Sequence, residues 1–267
     1  MDIVFFGSSP LSVVVLEKLV NSDKCSVFGV VTKEDKPACR GQKLAPNPVK
    51  VLAEKYGIKV QTSVKKLEGI DHNGGVGLVA AYGKIIPQSV LDKIPIYNIH
   101  PSLLPKYRGP SPLQQQILDG GTETGVTIIK LDAEMDHGPI VVQEKDTILP
   151  SDTWITLGER LFRKGADIFI NDKRLMTNDK FQDQDHSQAT YTKKITRQDG
   201  FVEWSDFAKK LNTDHLSLNS RLRAFAGWPG VWTVMPDGKR LKLISLSPEV
   251  TVQIEGKGPV LWKSLIF

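Results

Sequence analysis

The sequence predicts an α/β fold: a parallel or mixed sheet covered by helices over its first two thirds, with a small β-rich module behind it. Three observations carry this. Short apolar runs alternate with amphipathic segments from residue 3 to residue 170, the rhythm of strands joined through helices. A polar stretch rich in Asp, Asn, Gln and Ser interrupts that rhythm at residues 171–189. Beyond it come only short runs, separated by turn signals such as Pro236-Asp237-Gly238.

In chain order, residues 3–6 form a first strand that stops at Gly7. Ser9 then caps a helix, and Pro10 takes its first position, where the N–H that proline lacks would be unpaired anyway. Val13, Val14, Leu16, Leu19 and Val20 supply its apolar stripe. Residues 27–31 are a second strand. Residues 49–56 follow Pro48 and end at Gly57, a helix with a glycine cap. The runs at 76–81, 97–100, 125–131 and 140–142 are further strands. Residues 152–170 place Ile155, Leu157, Leu161, Phe162, Ala166 and Phe169 at helical spacing. Residues 171–189 read as a linker, and 190–193, 231–235, 241–246 and 250–254 as short strands. The expected domains are therefore 1–188 and 189–267.

Composition narrows the function classes. With 267 residues, 40% hydrophobic and 24% charged, the chain is ordinary globular material. No apolar run approaches the ~20 residues that span a bilayer. The start, Met1-Asp2 and then strand-like residues, lacks the basic end and longer apolar core of a signal peptide, so a cytoplasmic protein with no membrane partner is expected. Cys25 and Cys39 form no CxxC pair, which suits a reducing compartment. The histidines at 72, 100, 137, 186 and 215 are scattered, so no metal site is expected. The net charge of +5 is not evenly spread: residues 186–267 hold 12 Lys/Arg against 7 Asp/Glu, leaving the first 185 neutral. Such a basic tail suits an anionic partner such as nucleic acid, and equally a plain solvated surface.

Two places draw attention as chemistry. Gly7-Ser8-Ser9 follows a strand but lacks the GxGxxG spacing, so it reads as a tight turn and not a dinucleotide site. Asn98 and His100 alternate on a strand and so share a face, at the carboxyl end where α/β sheets bind ligands. Pro101 and Pro105 stiffen the loop that follows. An amide donor beside an imidazole is a plausible oxyanion and acid/base pair. Thirty-six residues after His100, a further strand is expected to end in Met135-Asp136-His137-Gly138-Pro139, with Asp136 placed to orient His100.

The run from Asn98 to Gly109 (NIHPSLLPKYRG), followed at this distance by MDHGP, resembles the signature of the folate-dependent formyltransferases, which act on methionyl-tRNA, glycinamide ribonucleotide or amino sugars. The resemblance runs over nearly the whole chain. It implies a Rossmann-like first domain and an OB-like second domain. It also implies a catalytic trio of Asn98, His100 and Asp136. The donor would be 10-formyltetrahydrofolate, with no metal. The folate pocket would be lined by Tyr82, Gly83, Ile85, Ile86 and Pro87, and by the loop residues Ser102, Leu103, Leu104 and Pro105.

Within that family, residues 35–44 resemble the basic loop that the methionyl-tRNA branch inserts after its second strand, and residues 45–50 continue the match. Lys36, Arg40 and Lys43 would then contact tRNA phosphates. The implied activity is formylation of the α-amine of initiator methionyl-tRNA for translation initiation. Formyl transfer to an amino-sugar nucleotide is one alternative, because residues 221–230 resemble a helix and Trp-Pro turn that the sugar branch shares; hydrolysis of formyltetrahydrofolate, with water as the acceptor, is the other. Two departures stand out. His137 replaces a small polar residue, which puts beside Asp136 a second imidazole that could compete for its carboxylate. The second domain also looks shortened: residues 253–259 resemble its closing motif, yet follow residues 241–246 almost at once.

Overall fold

The computed structural model describes residues 1–38, 43–64, 75–172, 174, 181–213 and 215–265. Two compact units emerge. The first comprises Met1–Pro110, Glu123–Thr147 and Gly158–Tyr191. The second comprises Ser111–Thr122, Ile148–Leu157 and Thr192–Phe267, so two stretches from the middle of the chain cluster with its last third.

The first unit is built on β1 (Asp2–Gly7), α1 (Pro10–Val20), β2 (Ser26–Val31), β3 (Lys36–Ala38), β4 (Lys43–Ala45), α2 (Pro48–Lys55), β5 (Val60–Gln61), β6 (Val76–Ala80), α3 (Gln88–Leu91) and β7 (Ile96–His100). Then, after α4 (Pro112–Leu118) of the second unit, come β8 (Glu123–Lys130), β9 (Ile140–Thr147) and α5 (Trp154–Asn171). Seven strands form one sheet in the order β5-β2-β1-β6-β7-β8-β9. From β5 to β7 every neighbour is parallel, while β8 and β9 run antiparallel, so the mixed Rossmann-like sheet changes character at β7.

Local chemistry explains the frame. Ile3, Val4, Phe5 and Phe6 of β1 are all buried, as expected of a central parallel strand covered on both faces. Ser9 caps α1 in extended conformation, and its side chain and that of Ser12 exchange bonds with each other's backbone N–H. Ser12 Oγ also donates to Ala80 O at 2.7 Å, pinning the helix start to the end of β6. The buried face of α1 is Leu11, Val15, Leu16 and Leu19; it shares Leu16 and Leu19 with the stripe read from the sequence, while Val13, Val14 and Val20 are only partly buried, because four valine and leucine residues in a row leave the helical phase undetermined. In α5, Leu161, Phe162, Ala166 and Phe169 are buried. A methyl group on Gly165 would meet Ile99 Cγ2 at 2.4 Å, so the lack of a side chain there lets the helix lie directly on β7.

The second unit holds α4, α6 (Trp204–Thr213), α7 (His215–Ala224) and an antiparallel sheet of β10 (Val231–Val234), β11 (Arg240–Ser245), β12 (Thr251–Ile254) and β13 (Pro259–Leu261). Among the described residues these four strands form an open meander in chain order. Its inner face, Val231, Thr233, Leu241, Leu243 and Val252, is buried, as are Phe207, Leu211, Leu218 and Phe225 of its helical side. Residues 190–193, expected as a strand, form only an isolated bridge between Tyr191 and Arg108. The three-residue β13 and the amphipathic α6 were not anticipated.

Candidate active site

Strand β7 brings Asn98 level with Val79 of β6 and Ile129 of β8, and His100 level with Thr127. The loop after it is cross-braced. Thr127 Oγ1 donates to Ser102 O (2.6 Å) and accepts from Leu104 N (3.2 Å), Gln143 Nε2 donates to Leu104 O (2.9 Å), and Ser102 Oγ donates to Lys106 O (2.7 Å). Tyr107 takes a positive φ of 61°, and its carbonyl lies 2.9 Å from His100 Nε2. A carbonyl can only accept, so Nε2 carries the hydrogen and the ring orientation is set. His100, 3% exposed, presents Nδ1 to Asp136 Oδ1 at 3.6 Å, beyond a hydrogen bond but within ion-pair range when the ring is protonated.

Asp136 does not end a strand, contrary to the sequence expectation. Strand β8 stops at Lys130, β9 starts at Ile140, and Asp136 sits in the connection with φ 52°. Aspartate tolerates this left-handed conformation better than most residues. Its carboxylate accepts from Asn98 Nδ2 at 3.2 Å and from Gly109 N at 2.8 Å. Asn98, His100 and Asp136 therefore converge in space. His137 does not compete for the carboxylate: its Nδ1 lies 2.6 Å from Asp132 Oδ2, and its ring stacks on His186 at 4.0 Å with planes 2° apart. Asp136 and His137, though adjacent in the chain, thus engage different partners.

Sequence reasoning missed what holds this connection. Arg108 is 1% exposed, with Nε and an Nη both donating to Gln184 Oε1 (3.2 and 2.7 Å); further contacts reach His186 Nδ1 (2.8 Å) and the Tyr191 hydroxyl (3.2 Å). Gln184 Nε2 donates to the carbonyls of Asp136, His137 and Gly138. Gln182 exchanges backbone bonds with Ile140 at 2.7 and 3.0 Å. The described part of the supposed linker is thus a scaffold. Arg108 lay inside the quoted motif without an assigned role, whereas Gln184 sat in a polar run that gave no signal.

Of the nine residues expected around folate, Tyr82, Ile86, Ser102 and Leu104 are buried in the protein, Pro87, Leu103 and Pro105 are partly buried, and Gly83 and Ile85 are exposed, Ile85 to 83%. Among the described residues the buried Tyr82 hydroxyl has no hydrogen-bond partner, and burial pushes its pKa up. Of the three basic residues expected to meet tRNA, Lys36 and Lys43 have their backbones in the β3–β4 hairpin, where Lys36 pairs with Ala45 and Lys43 with Ala38; Arg40 lies outside the described residues. At the base of that hairpin Asp35 binds Lys50 (2.8 Å) and Asn47 N (2.9 Å), which hold its carboxyl below the usual range. Among the described residues, no group of three or more His, Cys, Asp or Glu is placed to hold a metal ion, and no helix is long and apolar enough to cross a membrane.

Known proteins share this architecture. The family profile described as "Formyl transferase" matches residues 1–172, and "Formyl transferase, C-terminal domain" matches residues 194–261. The methionyl-tRNA formyltransferase of Roseiflexus sp. (strain RS-1) is 40% identical over 257 residues, covering 92% of this chain and 76% of that protein. That of Thermotoga maritima is 39% identical over 240 residues, covering 86% and 74%. Among solved structures, a 4-N formyltransferase from Francisella tularensis superposes with a TM-score of 0.67 at 17% identity (92% and 96% covered). A methionyl-tRNA formyltransferase from Clostridium thermocellum gives 0.63 at 17% (98% and 99% covered). At such identities these two speak for the fold alone. With both profiles matched in order and relatives 39–40% identical across most of its length, the chain belongs to the formyl transferase family.

Proposed function

We propose that this enzyme transfers the formyl group of 10-formyltetrahydrofolate to the α-amine of initiator methionyl-tRNA, in the cytoplasm, for translation initiation. The observation that carries the reaction class is the convergence of Asn98, His100 and Asp136 at the end of β7. The acceptor is argued from the relatives named methionyl-tRNA formyltransferase and from the basic residues Lys36, Arg40 and Lys43 between β2 and α2.

The residues present fit the folate. Exposed Ile85 and the bare backbone of Gly83, beyond β6, and partly buried Leu103 and Pro105, beyond the adjacent β7, would offer apolar surface to a flat pterin, while their chain neighbours Tyr82, Ile86, Ser102 and Leu104 are buried. When bound, the folate supplies a formyl carbon already electrophilic enough for attack by an amine. An amide nitrogen carries two hydrogens, so Asn98 has one for Asp136 and one for the formyl oxygen as negative charge grows there. His100, fixed through Tyr107 O, receives the amine proton at Nδ1 and passes it on toward the departing nitrogen. Asp136 supplies the counter-charge. Because Gly109 N and Asn98 already hold it, it needs no rearrangement to do so.

The test measures kcat/KM with 10-formyltetrahydrofolate and three acceptors: methionyl-tRNA, an amino-sugar nucleotide, and water, read as formate release. Methionyl-tRNA is expected to be used and the other two not. Replacing Lys36, Arg40 and Lys43 with alanine is expected to weaken tRNA use and flatten its salt dependence, by about 0.9 in log–log slope per lost phosphate contact. An unchanged slope returns the loop to plain surface, and turnover with the sugar nucleotide alone overturns the acceptor assignment.

A further inference from the structure

We propose that Gln184 is a positioning residue for Asp136, holding the β8–β9 connection in its reactive shape through a relay from buried Arg108; this rests on the role given to Asp136 above. The geometry is specific about which atom does what. Arginine has only donors, so the Gln184 atom facing Arg108 at 3.2 and 2.7 Å must be the oxygen. Carbonyls only accept, so the atom facing Asp136 O (2.9 Å), His137 O (3.1 Å) and Gly138 O (2.7 Å) must be the nitrogen. The amide can therefore sit only one way round. Its two hydrogens serve three consecutive carbonyls, a set of acceptors that repel one another unless a donor gathers them.

The relay is anchored firmly. Gln184 is 5% exposed and Arg108 1% exposed, so neither can exchange its partners for water without unpacking the site. Arg108 also donates to His186 Nδ1 at 2.8 Å, and the His186 ring stacks on His137, whose Nδ1 is held by Asp132. The connection is thus gripped from outside at the carbonyls of 136–138 and through the ring of 137, and is braced within itself by the bond between His137 and Asp132. The same motif that carries His100 on β7 carries Arg108 eight residues on, so the two halves of the site are tied to one loop. Asp136 has a left-handed backbone that most residues avoid, and the three carbonyl contacts hold it there.

Gln184→Ala and Gln184→Glu decide the matter, with Asp136→Ala as reference. Each is measured for kcat, for both KM values, for equilibrium tetrahydrofolate binding and for thermal melting. Glutamate keeps an oxygen for Arg108 but, when ionised, has no hydrogen for the three carbonyls. Gln184→Ala is expected to lower kcat by about 10²-fold, the cost of a misplacement near 1 Å, with both KM values and folate affinity unchanged. Gln184→Glu is expected to be no better in kcat, although it keeps its pairing with Arg108 and folds. Wild-type kcat in Gln184→Glu overturns the proposal, because it would mean that pairing with Arg108 is all that the side chain does; wild-type kcat in Gln184→Ala overturns it too. If Asp136→Ala itself retains kcat, the reaction assignment falls and the positioning role with it. If Asp136→Ala is dead and Gln184→Ala is not, only the positioning role falls.

Discussion

Gly138→Ala makes a sharp test of how tightly the Asp136 connection is set. A methyl group built on Gly138 would lie 1.9 Å from the backbone oxygen of Lys130, and 3.0 Å is the closest that real side-chain β-carbons come to another atom. Lys130 cannot give way cheaply, because its N–H is bonded to Pro139 O at 3.0 Å and its residue is paired with Tyr97 of β7. The connection must therefore move by about 1.1 Å to restore ordinary contact. If Asp136, two residues away, follows, its bonds from Gly109 N (2.8 Å) and Asn98 Nδ2 (3.2 Å) stretch to about 3.9 and 4.3 Å, outside hydrogen-bond range. Overpacking of this kind costs about 1–3 kcal/mol of stability, and displacement of an acid–base group by about 1 Å costs about 10²-fold in rate. Formyl transfer at saturating substrates, with circular dichroism and thermal melting alongside, should show a folded enzyme of lowered Tm with kcat down by that factor. Wild-type kcat would refute the reasoning, since it would mean that Asp136 is either free to readjust or not needed where it stands.

Two further predictions follow from the same structure. His100→Ala and Asp136→Ala should each lose about 10²–10⁴-fold in kcat with unchanged circular dichroism, as expected for removing an acid–base group; near-wild-type turnover in either removes that residue from the mechanism. Asp146 is partly desolvated, which by itself raises its pKa, but Thr147 N–H, Lys164 and Arg160 outweigh this and hold the carboxyl below its usual value. A carboxyl lowered on folding contributes stability that is present above its unfolded pKa and is lost as pH falls through the folded one. Asp146→Asn should therefore be less stable than wild type to urea at pH 7, and the difference should close on acidification; a gap that persists at low pH contradicts the assignment.

What the sequence showed and what it hid separate along physical lines. Asn98 and His100 were legible because they sit on a strand, where a period of two dictates a shared face. The alternation of strands and helices was legible for the same reason, while the buried face of α1 was not, because an unbroken apolar run at residues 13–16 carries no phase. Asp136 was legible only through its motif and was wrongly placed at a strand end, since left-handed turns leave no periodic trace. The neighbour relation between His137 and His186 joins residues 49 positions apart, and that between Arg108 and Gln184 joins residues 76 apart. Both run through polar side chains in irregular segments, and no hydrophobic pattern encodes such a meeting. The orientation of His137 toward Asp132 likewise depends on a turn geometry that only the folded chain reveals.

The backbone itself carries a mark of the site. Among the described residues, three other than glycine have positive φ: Ala81, Tyr107 and Asp136. Each costs of order 1–3 kcal/mol unless its surroundings enforce it, so their placement is informative. Ala81 directly follows β6, with its carbonyl 3.4 Å from Ser12 Oγ, and opens the stretch that carries Tyr82, Gly83 and Ile85. Tyr107 turns the carbonyl that fixes His100. Asp136 turns the carboxylate that faces it. Strain spread at random would fall on either unit, yet all three lie in the first, in the connections that follow β6, β7 and β8, the adjacent strands on which the candidate site is built. Each is also held by polar bonds to another segment: Ala81 to α1, Tyr107 through its N–H to Thr190 at 2.8 Å, and Asp136 through its own carbonyl to Gln184. A fold selected for stability alone would relax such positions. Their retention, each braced by a contact far away in sequence, is what a site requires when its reacting groups stand on loops and must still be held to within about half an ångström.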